Sequence, residues 1–334
     1  MNKIIKIAVD AMGGDGSPKK VIDGIHHHFK NNKNSFYQIF GDKDKILPHI
    51  KNNLSNSSFE IIHTLDIVKG TDSPLEGAKR GKKTSMWLAI QNVKEKKSDV
   101  VISAGNTGAL LVISKLNLNM IENIDKPALS ALWPNKTGMS VVLDLGANIE
   151  CSPKNLIDFS IMGSSLFKSL YPNDNAKVAL LNIGSEELKG NEVIKETYQQ
   201  LNKRDNHDFE FKGYIEGNQL MNGDVNVIVA DGFTGNVALK TAEGTANFIT
   251  GELKKAMTGS IIGKISSLLN ISNLKKFKAR LDPRLYNGAI FIGLDHPVIK
   301  SHGGTDYIGF SNSLSVCTKT VSGDLIEKIR NNIN

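Results

Sequence analysis

At 334 residues, with 40% hydrophobic and 22% charged side chains and 30 glycines, the chain has the make-up of a globular protein, which excludes a disordered or collagen-like polymer. Its two cysteines, Cys151 and Cys317, lack CxxC or Cys/His spacing and argue against a disulfide scaffold or a structural zinc, and no run reaches the roughly 18 apolar residues that span a bilayer. The net charge of +7 resolves to one window: Lys254–Arg280 holds seven basic residues and no acidic one, and without them the basic residues only match the 34 acidic ones.

The chain opens on an apolar strand, Ile4–Asp10, which runs into DAMGGDGSP before any signal-peptide core forms, so a cytoplasmic location is expected. That loop offers Gly13, Gly14, Asp15 and Gly16, but Lys19 stands where a dinucleotide fingerprint needs its third glycine. A helix over Pro18–Asn31 carries His26, His27 and His28; adjacent helical side chains diverge by about 100°, so the triplet reads as a solvated face and not a metal site. Strands Phe36–Gly41 and Phe59–Leu65 and one helix over Leu75–Lys94 follow. Strand Asp99–Ala104 leads through SAGNTG, with Asn106, Thr107 and Gly108, into a helix to Leu118. Strand Ser140–Leu145 ends in DLGAN with Asn148, before a helix over Lys154–Leu170. Strand Ala176–Ile183 gives way to NIGSEELKGN, with Lys189, Gly190 and Asn191, and a helix to Leu201.

Strands Phe209–Tyr214 and Val225–Ala230 precede ADGFTGN, which supplies Asp231, Thr234, Gly235 and Asn236. A helix over Gly235–Met257 then carries Lys240 one turn beyond Asn236. Residues 254–282 read as a basic amphipathic excursion from a single domain spanning 1–334: Ile261, Ile262, Ile265, Leu268 and Leu269 share one helical face, among Lys254, Lys255, Lys264, Lys275 and Lys276. Such a segment is either a surface or dimer element or a reversible dock for an anionic membrane or an acidic protein. With Phe277 as its single aromatic, it does not suit nucleic-acid stacking. Strand Ala289–Ile292, the sequence Lys300-Ser-His302-Gly-Gly and a helix over Asp306–Arg330 complete the chain.

Near-continuous hydrophobic strands alternating with helices predict a three-layer α/β/α sheet, mostly parallel. In such a sheet the Gly-rich loops gather at one carboxyl edge, where backbone N–H groups and helix N-termini suit a phosphate. No GxSxG elbow occurs, and Gly259-Ser-Ile-Ile-Gly263-Lys264 is not a P-loop. Lacking an identifiable histidine partner, Cys151 reads as a structural thiol.

DAMGGDGSP, SAGNTGALL, DLGAN, NIGSEELKGNE, ADGFTGNVALKTAEG and LDPRLYNG followed by IKSHG resemble, in order and over nearly the full chain, the successive motifs of the PlsX family. The chain departs at Ser185, Leu188 and Leu294-Asp-His-Pro297. The resemblance implies a homodimeric Rossmann-like enzyme, similar in fold to phosphate acetyltransferases and isocitrate-type dehydrogenases. It would convert acyl-acyl carrier protein and inorganic phosphate into acyl phosphate, which a membrane glycerol-phosphate acyltransferase then uses. Lys189 and Asn236 are the expected catalytic groups. Phosphate or substrate binding is expected from the loop residues named above together with Lys240, Lys300 and His302. No metal or organic cofactor is expected, and the basic excursion would meet carrier protein or membrane. The alternatives are a phosphate acetyltransferase acting on a coenzyme A thioester, a nicotinamide-dependent dehydrogenase and a non-catalytic membrane-associated scaffold.

Overall fold

The computed structural model describes residues 3–52, 54–55, 57–204 and 208–333. The strands are β1 (Ile5–Asp10), β2 (Ser35–Gly41), β3 (Phe59–His63), β4 (Val100–Ser103), β5 (Ala128–Pro134), β6 (Met139–Leu143), β7 (Lys177–Asn182), β8 (Glu210–Glu216), β9 (Val227–Val229), β10 (Ala289–Ile292) and β11 (Val298–Lys300). They form one sheet in the order β3-β2-β1-β4-β11-β10-β5-β6-β9-β7-β8. The helices are α1 (Lys19–Asn31), α2 (Lys43–Ile46), α3 (Pro74–Lys79), α4 (Ser85–Lys94), α5 (Thr107–Asn117), α6 (Pro153–Leu170), α7 (Glu192–Lys203), α8 (Gly232–Thr258), α9 (Ile261–Leu269), α10 (Ile271–Arg280), α11 (Tyr307–Ser322) and α12 (Leu325–Ile333).

The mostly parallel α/β/α sheet is found, with one consequential difference from the sequence reading. β3, β2, β1, β4 and β11 run parallel, and so do β6, β9, β7 and β8. Between these blocks β10 is antiparallel to both β11 and β5, and β5 is antiparallel to β6. Three reversals make the second block run against the first. The Gly-rich loops therefore form two groups and do not share one carboxyl edge: those after β1, β4 and β11, and those after β6, β7 and β9. β5 and β11 are the strands that sequence periodicity does not show, since β5 is interrupted by Ser130 and Pro134 and β11 has three residues.

Strand side chains alternate between two faces. Ile7, Val9, Val100, Ile102, Val141, Leu143, Val178, Leu180, Val227 and Val229 join one continuous core with residues of α1, α6, α7, α11 and α12. The opposite face carries two separate cores. Ala8, Val101, Phe291 and Val298 pack with α4 and α5, whereas Val142, Ala179 and Ile228 pack with Ala238, Leu239 and Ala242 of α8. Leu129 of β5 touches both, so it floors the seam between α5 and α8.

Two long helices expected from periodicity are each broken. Gly81, at φ 103°, ends the first segment, and Thr84 then caps α4 by accepting from the N–H of Trp87. Gly323 and Asp324 likewise separate α11 from α12, Asp324 sitting at φ 50°. The histidine triplet is also corrected: His26 and His28 are buried, not solvated. His26 Nε2 accepts from the Lys51 N–H at 3.1 Å, and His28 Nδ1 shares a 2.7 Å hydrogen bond with the Tyr37 hydroxyl. An inward-facing α1 turns two of three adjacent histidines onto the core side.

Beyond Ala242 the α8 helix leaves the body, and α8, α9 and α10 form a largely exposed arm that starts upstream of residue 254. α9 folds back on the end of α8 through Ser267 Oγ donating to the Met257 carbonyl at 3.1 Å. Arg280 ties the arm's far end to the carbonyls of Asn135 and Lys136, each at 3.3 Å.

Candidate active site

The first group of loops is built around Asp10, wholly buried at the end of β1. Its carboxylate accepts from Ser103 Oγ at 2.6 Å, Ser85 Oγ at 2.7 Å and the Met12 N–H at 3.2 Å. Burial pushes its pKa up, and these donors oppose the shift. Two lysines enter the same region. Lys20 reaches the Gly303 carbonyl and Lys300 the Ser301 carbonyl, and the two side chains rank among the buried polar groups. Burial lowers the Lys300 pKa to about 8, with the charge of Lys20 adding to the effect. Gly14, at φ 80°, must lack a side chain, because a Cβ there would lie 2.9 Å from Lys20 Nζ and 2.7 Å from the Ala104 carbonyl oxygen. Asp15 and Gly16 are exposed on the rim. Gly13 packs on Gly105, and a Cβ at Gly108 would meet Pro74 of α3, so these two serve protein packing.

The second group is organised by Asp144, which accepts from the N–H groups of Leu129, Gly146, Ala147 and Asn148 and from Asn148 Nδ2, at 2.8–3.2 Å. Asn148 also donates to the Pro127 carbonyl at 2.7 Å, which commits its amide to the loop. Asp231 caps α8 by accepting from the Thr234 N–H and hydroxyl at 2.8 and 2.7 Å. Gly235 presses on the Asp144 carbonyl. Asn106 and Asn191 are the N-caps of α5 and α7, accepting from Ala109 and Ile194. Three polar residues of the expected binding set are thus spent on helix capping, and a fourth, Asn148, on bracing a loop.

Asn236 differs. Its side chain is exposed beside Gly146, within 3.7 Å of where a Cβ on that glycine would lie, and its amide makes no hydrogen bond among the described residues. One turn on, Lys240 pairs with Glu243 at 2.8 Å, and both lie within electrostatic reach of His302. Burial holds the His302 pKa down, and Lys300 pushes it the same way. The helix that begins in the second group therefore brings Lys240 toward the first, while Asn236 stays beside Gly146 in the second. Lys189 is exposed in the loop after β7, its ammonium unpaired among the described residues. Along the sheet β7 is five positions from β11, about 24 Å at the usual strand spacing, so Lys189 stands at the outer end of the site.

Asn182 Nδ2 holds the Lys189 loop closed, donating to the carbonyls of Gly184 and Lys189, both at 3.1 Å. Gly190, at φ 96°, fits against that amide. Asn182→Ala is expected to leave the melting temperature within a few degrees but to lower kcat about tenfold, at unchanged substrate KM, by releasing this loop. An unchanged kcat would remove Asn182 from positioning. Cys151 is half-buried, and burial, then the negative charge of Asp144, lifts its thiol to a pKa of about 11, which makes it a poor nucleophile.

The family described as fatty acid synthesis protein matches residues 5–328. The chain is 88% identical to a phosphate acyltransferase of Pelagibacter ubique, over 100% of both chains. It is 40% identical to a phosphate acyltransferase of Maricaulis maris, covering 100% of this chain and 96% of the relative. This chain belongs to the PlsX family of phosphate acyltransferases. Among solved structures it resembles the EutD phosphotransacetylase from Staphylococcus aureus, with a TM-score of 0.62 and 16% identity over 95% of this chain and 94% of that one. A branched-chain phosphotransacylase from Enterococcus faecalis gives 0.61 and 13%, over 95% and 99%. At such identities the likeness shows the fold.

In this PlsX family member, the residues that sequence reasoning missed are Asp10, Lys20, Ser85 and Ser103. Lys20 left one signal, its place on the mostly apolar inner face of α1, four residues before Gly24 and eight before His28. Ser85 left none, because it joins the site only through the fold of α4 against β1.

Proposed function

We propose that the acyl donor is an acyl-acyl carrier protein and that the products are acyl phosphate and free carrier protein. The observation that carries this choice is the arm. Phe248, Ile249, Leu253, Ile261, Ile262 and Leu268 are exposed along α8 and α9, beside exposed Lys254, Lys255, Lys264, Lys275 and Lys276, and α8 is the helix that bears Asn236. An apolar, basic surface rooted at the candidate catalytic amide suits an acidic protein that delivers a lipid chain.

In the reaction a phosphate oxygen attacks the thioester carbonyl carbon, a tetrahedral oxyanion forms, and the carbon–sulfur bond breaks to release a thiolate. Phosphate is already an anionic nucleophile, and the thiol leaving group has a pKa near 8.5, so no triad is required. Positioning and charge neutralisation carry the catalysis. The Asn236 amide donates to the oxyanion, and Lys189, at the outer end of the site, supplies positive charge for the acidic donor. Neither step calls on a metal or an organic cofactor.

The protein acts as a homodimer in the cytoplasm, with transient contact to an anionic membrane where a glycerol-phosphate acyltransferase consumes the product. Among the described residues no helix is long and apolar enough to cross a membrane, so contact is through the arm surface. Ile261 and Ile262 are each 78% exposed and Leu268 69% exposed. Changing all three to Ser is expected to reduce sedimentation with anionic vesicles at least about tenfold and to raise the KM for acyl-acyl carrier protein, while kcat at saturating donor persists. A raised KM with retained vesicle binding would assign this face to the donor alone.

The decisive assay measures thiol release from palmitoyl-acyl carrier protein with and without inorganic phosphate, trapping acyl phosphate as a hydroxamate. Phosphate-dependent release with a trapped hydroxamate is expected. Activity confined to acetyl-coenzyme A would move the protein to the acetyltransferase reading, and silence with both donors to a scaffold.

A further inference from the structure

We propose that Lys20 of α1 and Lys300 of β11 together hold the inorganic phosphate dianion, so that the nucleophile sits in the first group of loops and the acyl carbonyl faces it from the Asn236 side. The assignment rests on the acyl-transfer reading above and divides that site between two sets of residues.

The argument starts from an electrostatic imbalance. Lys20 is 8% exposed and Lys300 7%, so both side chains are more than nine-tenths buried. Among the described residues neither forms an ion pair, and the hydrogen bonds their ammonium groups make go to the backbone carbonyls of Gly303 and Ser301, in one loop. An ammonium carries three N–H donors, so two on each lysine stay uncommitted. Asp10, the buried carboxylate nearby, attracts Lys300 but is already engaged by two hydroxyls and a backbone N–H, and one carboxylate does not balance two ammonium groups. Asp15, which attracts Lys20, is exposed to solvent. Two like charges held this close and this dry are unfavourable unless an anion joins them. A dianion with several acceptor oxygens answers both the charge and the spare donors. The backbone leaves room for it: Gly14 has no side chain beside Lys20 Nζ, and at Gly16 a Cβ would meet nothing. The depressed Lys300 pKa agrees with a cation waiting for a counter-ion.

This arrangement has a signature that a structural lysine lacks. The near-isosteric Lys20→Met and Lys300→Met remove a buried charge, so each variant without phosphate is expected to melt no lower than the wild type. Inorganic phosphate is expected to raise the wild-type melting temperature, against sodium chloride of equal ionic strength, and to leave both variants unmoved. In turnover, each variant's phosphate KM is expected to rise at least about tenfold while the KM for acyl-acyl carrier protein stays within about twofold. Lys20→Arg, which keeps the charge, is expected to keep a phosphate response and covers the case of a methionine variant that does not fold.

The assignment is overturned if phosphate stabilises the methionine variants as it does the wild type, if both KM values rise together, or if phosphate at concentrations that saturate turnover leaves the wild-type melting temperature unmoved. Failure of the acyl-carrier reading looks different: the wild type responds to phosphate but releases no thiol from an acyl carrier protein.

Discussion

Asn236→Ala is expected to lower kcat about 100-fold, close to 3 kcal/mol of lost transition-state stabilisation, and Lys189→Ala to raise the acyl-donor KM about tenfold, each at a melting temperature within a few degrees of wild type. The stability half of this expectation follows from exposure and lack of partners. Neither side chain is buried and neither makes an ion pair or hydrogen bond among the described residues, so truncation leaves no orphaned group inside the protein. The catalytic half follows from chemistry: an amide aimed at a developing oxyanion contributes most when the negative charge forms. Kcat therefore falls while phosphate KM holds. Because Lys189 stands at the outer end of the site, its variant separates two roles. A fall in kcat places its ammonium at the oxyanion, whereas a rise in carrier-protein KM alone places it against the acidic donor. Near-native kinetics in both folded variants would dismiss this pair from the mechanism.

The contrast with their neighbours shows what a loop motif conveys. Asn106, Asn148, Asn191 and Asp231 have the residue types and positions of ligand-binding groups, yet each is committed to a cap or a loop brace. A motif at a strand–helix junction serves helix initiation and catalysis with the same side chains, and only the partner atoms distinguish them. Asn236 stands out because it lies past the cap, in the second turn of α8, where a helical N–H no longer claims its amide. Asp144 is the reverse case: it reads as part of a phosphate loop and acts as the acceptor on which that loop is folded.

The inner strands β1, β4, β6, β7 and β9 of the two parallel blocks were legible because Val, Ile and Leu crowd them and both faces are largely buried. The reversal between the blocks was not, because it is carried by β5, β10 and β11. β5 mixes Ser130, Trp133 and Pro134 with its apolar residues, and β11 is too short to show a period. Missing β5 made one continuous parallel sheet and a single loop edge the natural reading, although the site spans two oppositely directed blocks. Lys20 and Ser85 were hidden for a related reason. Their roles come from packing of α1 and α4 against β1, which no local pattern records.

Acidification is expected to destabilise the protein between pH 6.5 and 4 through His28. Burial lowers its pKa from 6.5 to about 4, and the charge of His27 adds to this. The physical cause is visible around the ring. Nδ1 bonds the Tyr37 hydroxyl of β2 at 2.7 Å, Nε2 is buried without a hydrogen-bond partner, and the buried Cys317 of α11 supplies no negative charge to this pocket. A proton on the ring would make both nitrogens donors and leave a charged N–H at Nε2 with nothing to receive it. The unfolded chain accepts that proton near pH 6.5 and the folded chain only near pH 4, so between those values the unfolded state binds more protons. Stability is therefore full above pH 6.5 and falls as the pH drops, by about 3 kcal/mol across the window. Denaturant midpoints at several pH values would show this slope, and His28→Gln, which cannot titrate, should flatten it at some cost in stability near neutrality. An unchanged slope in His28→Gln would transfer the acid sensitivity to other groups and leave His28 as a neutral core residue without a part in it.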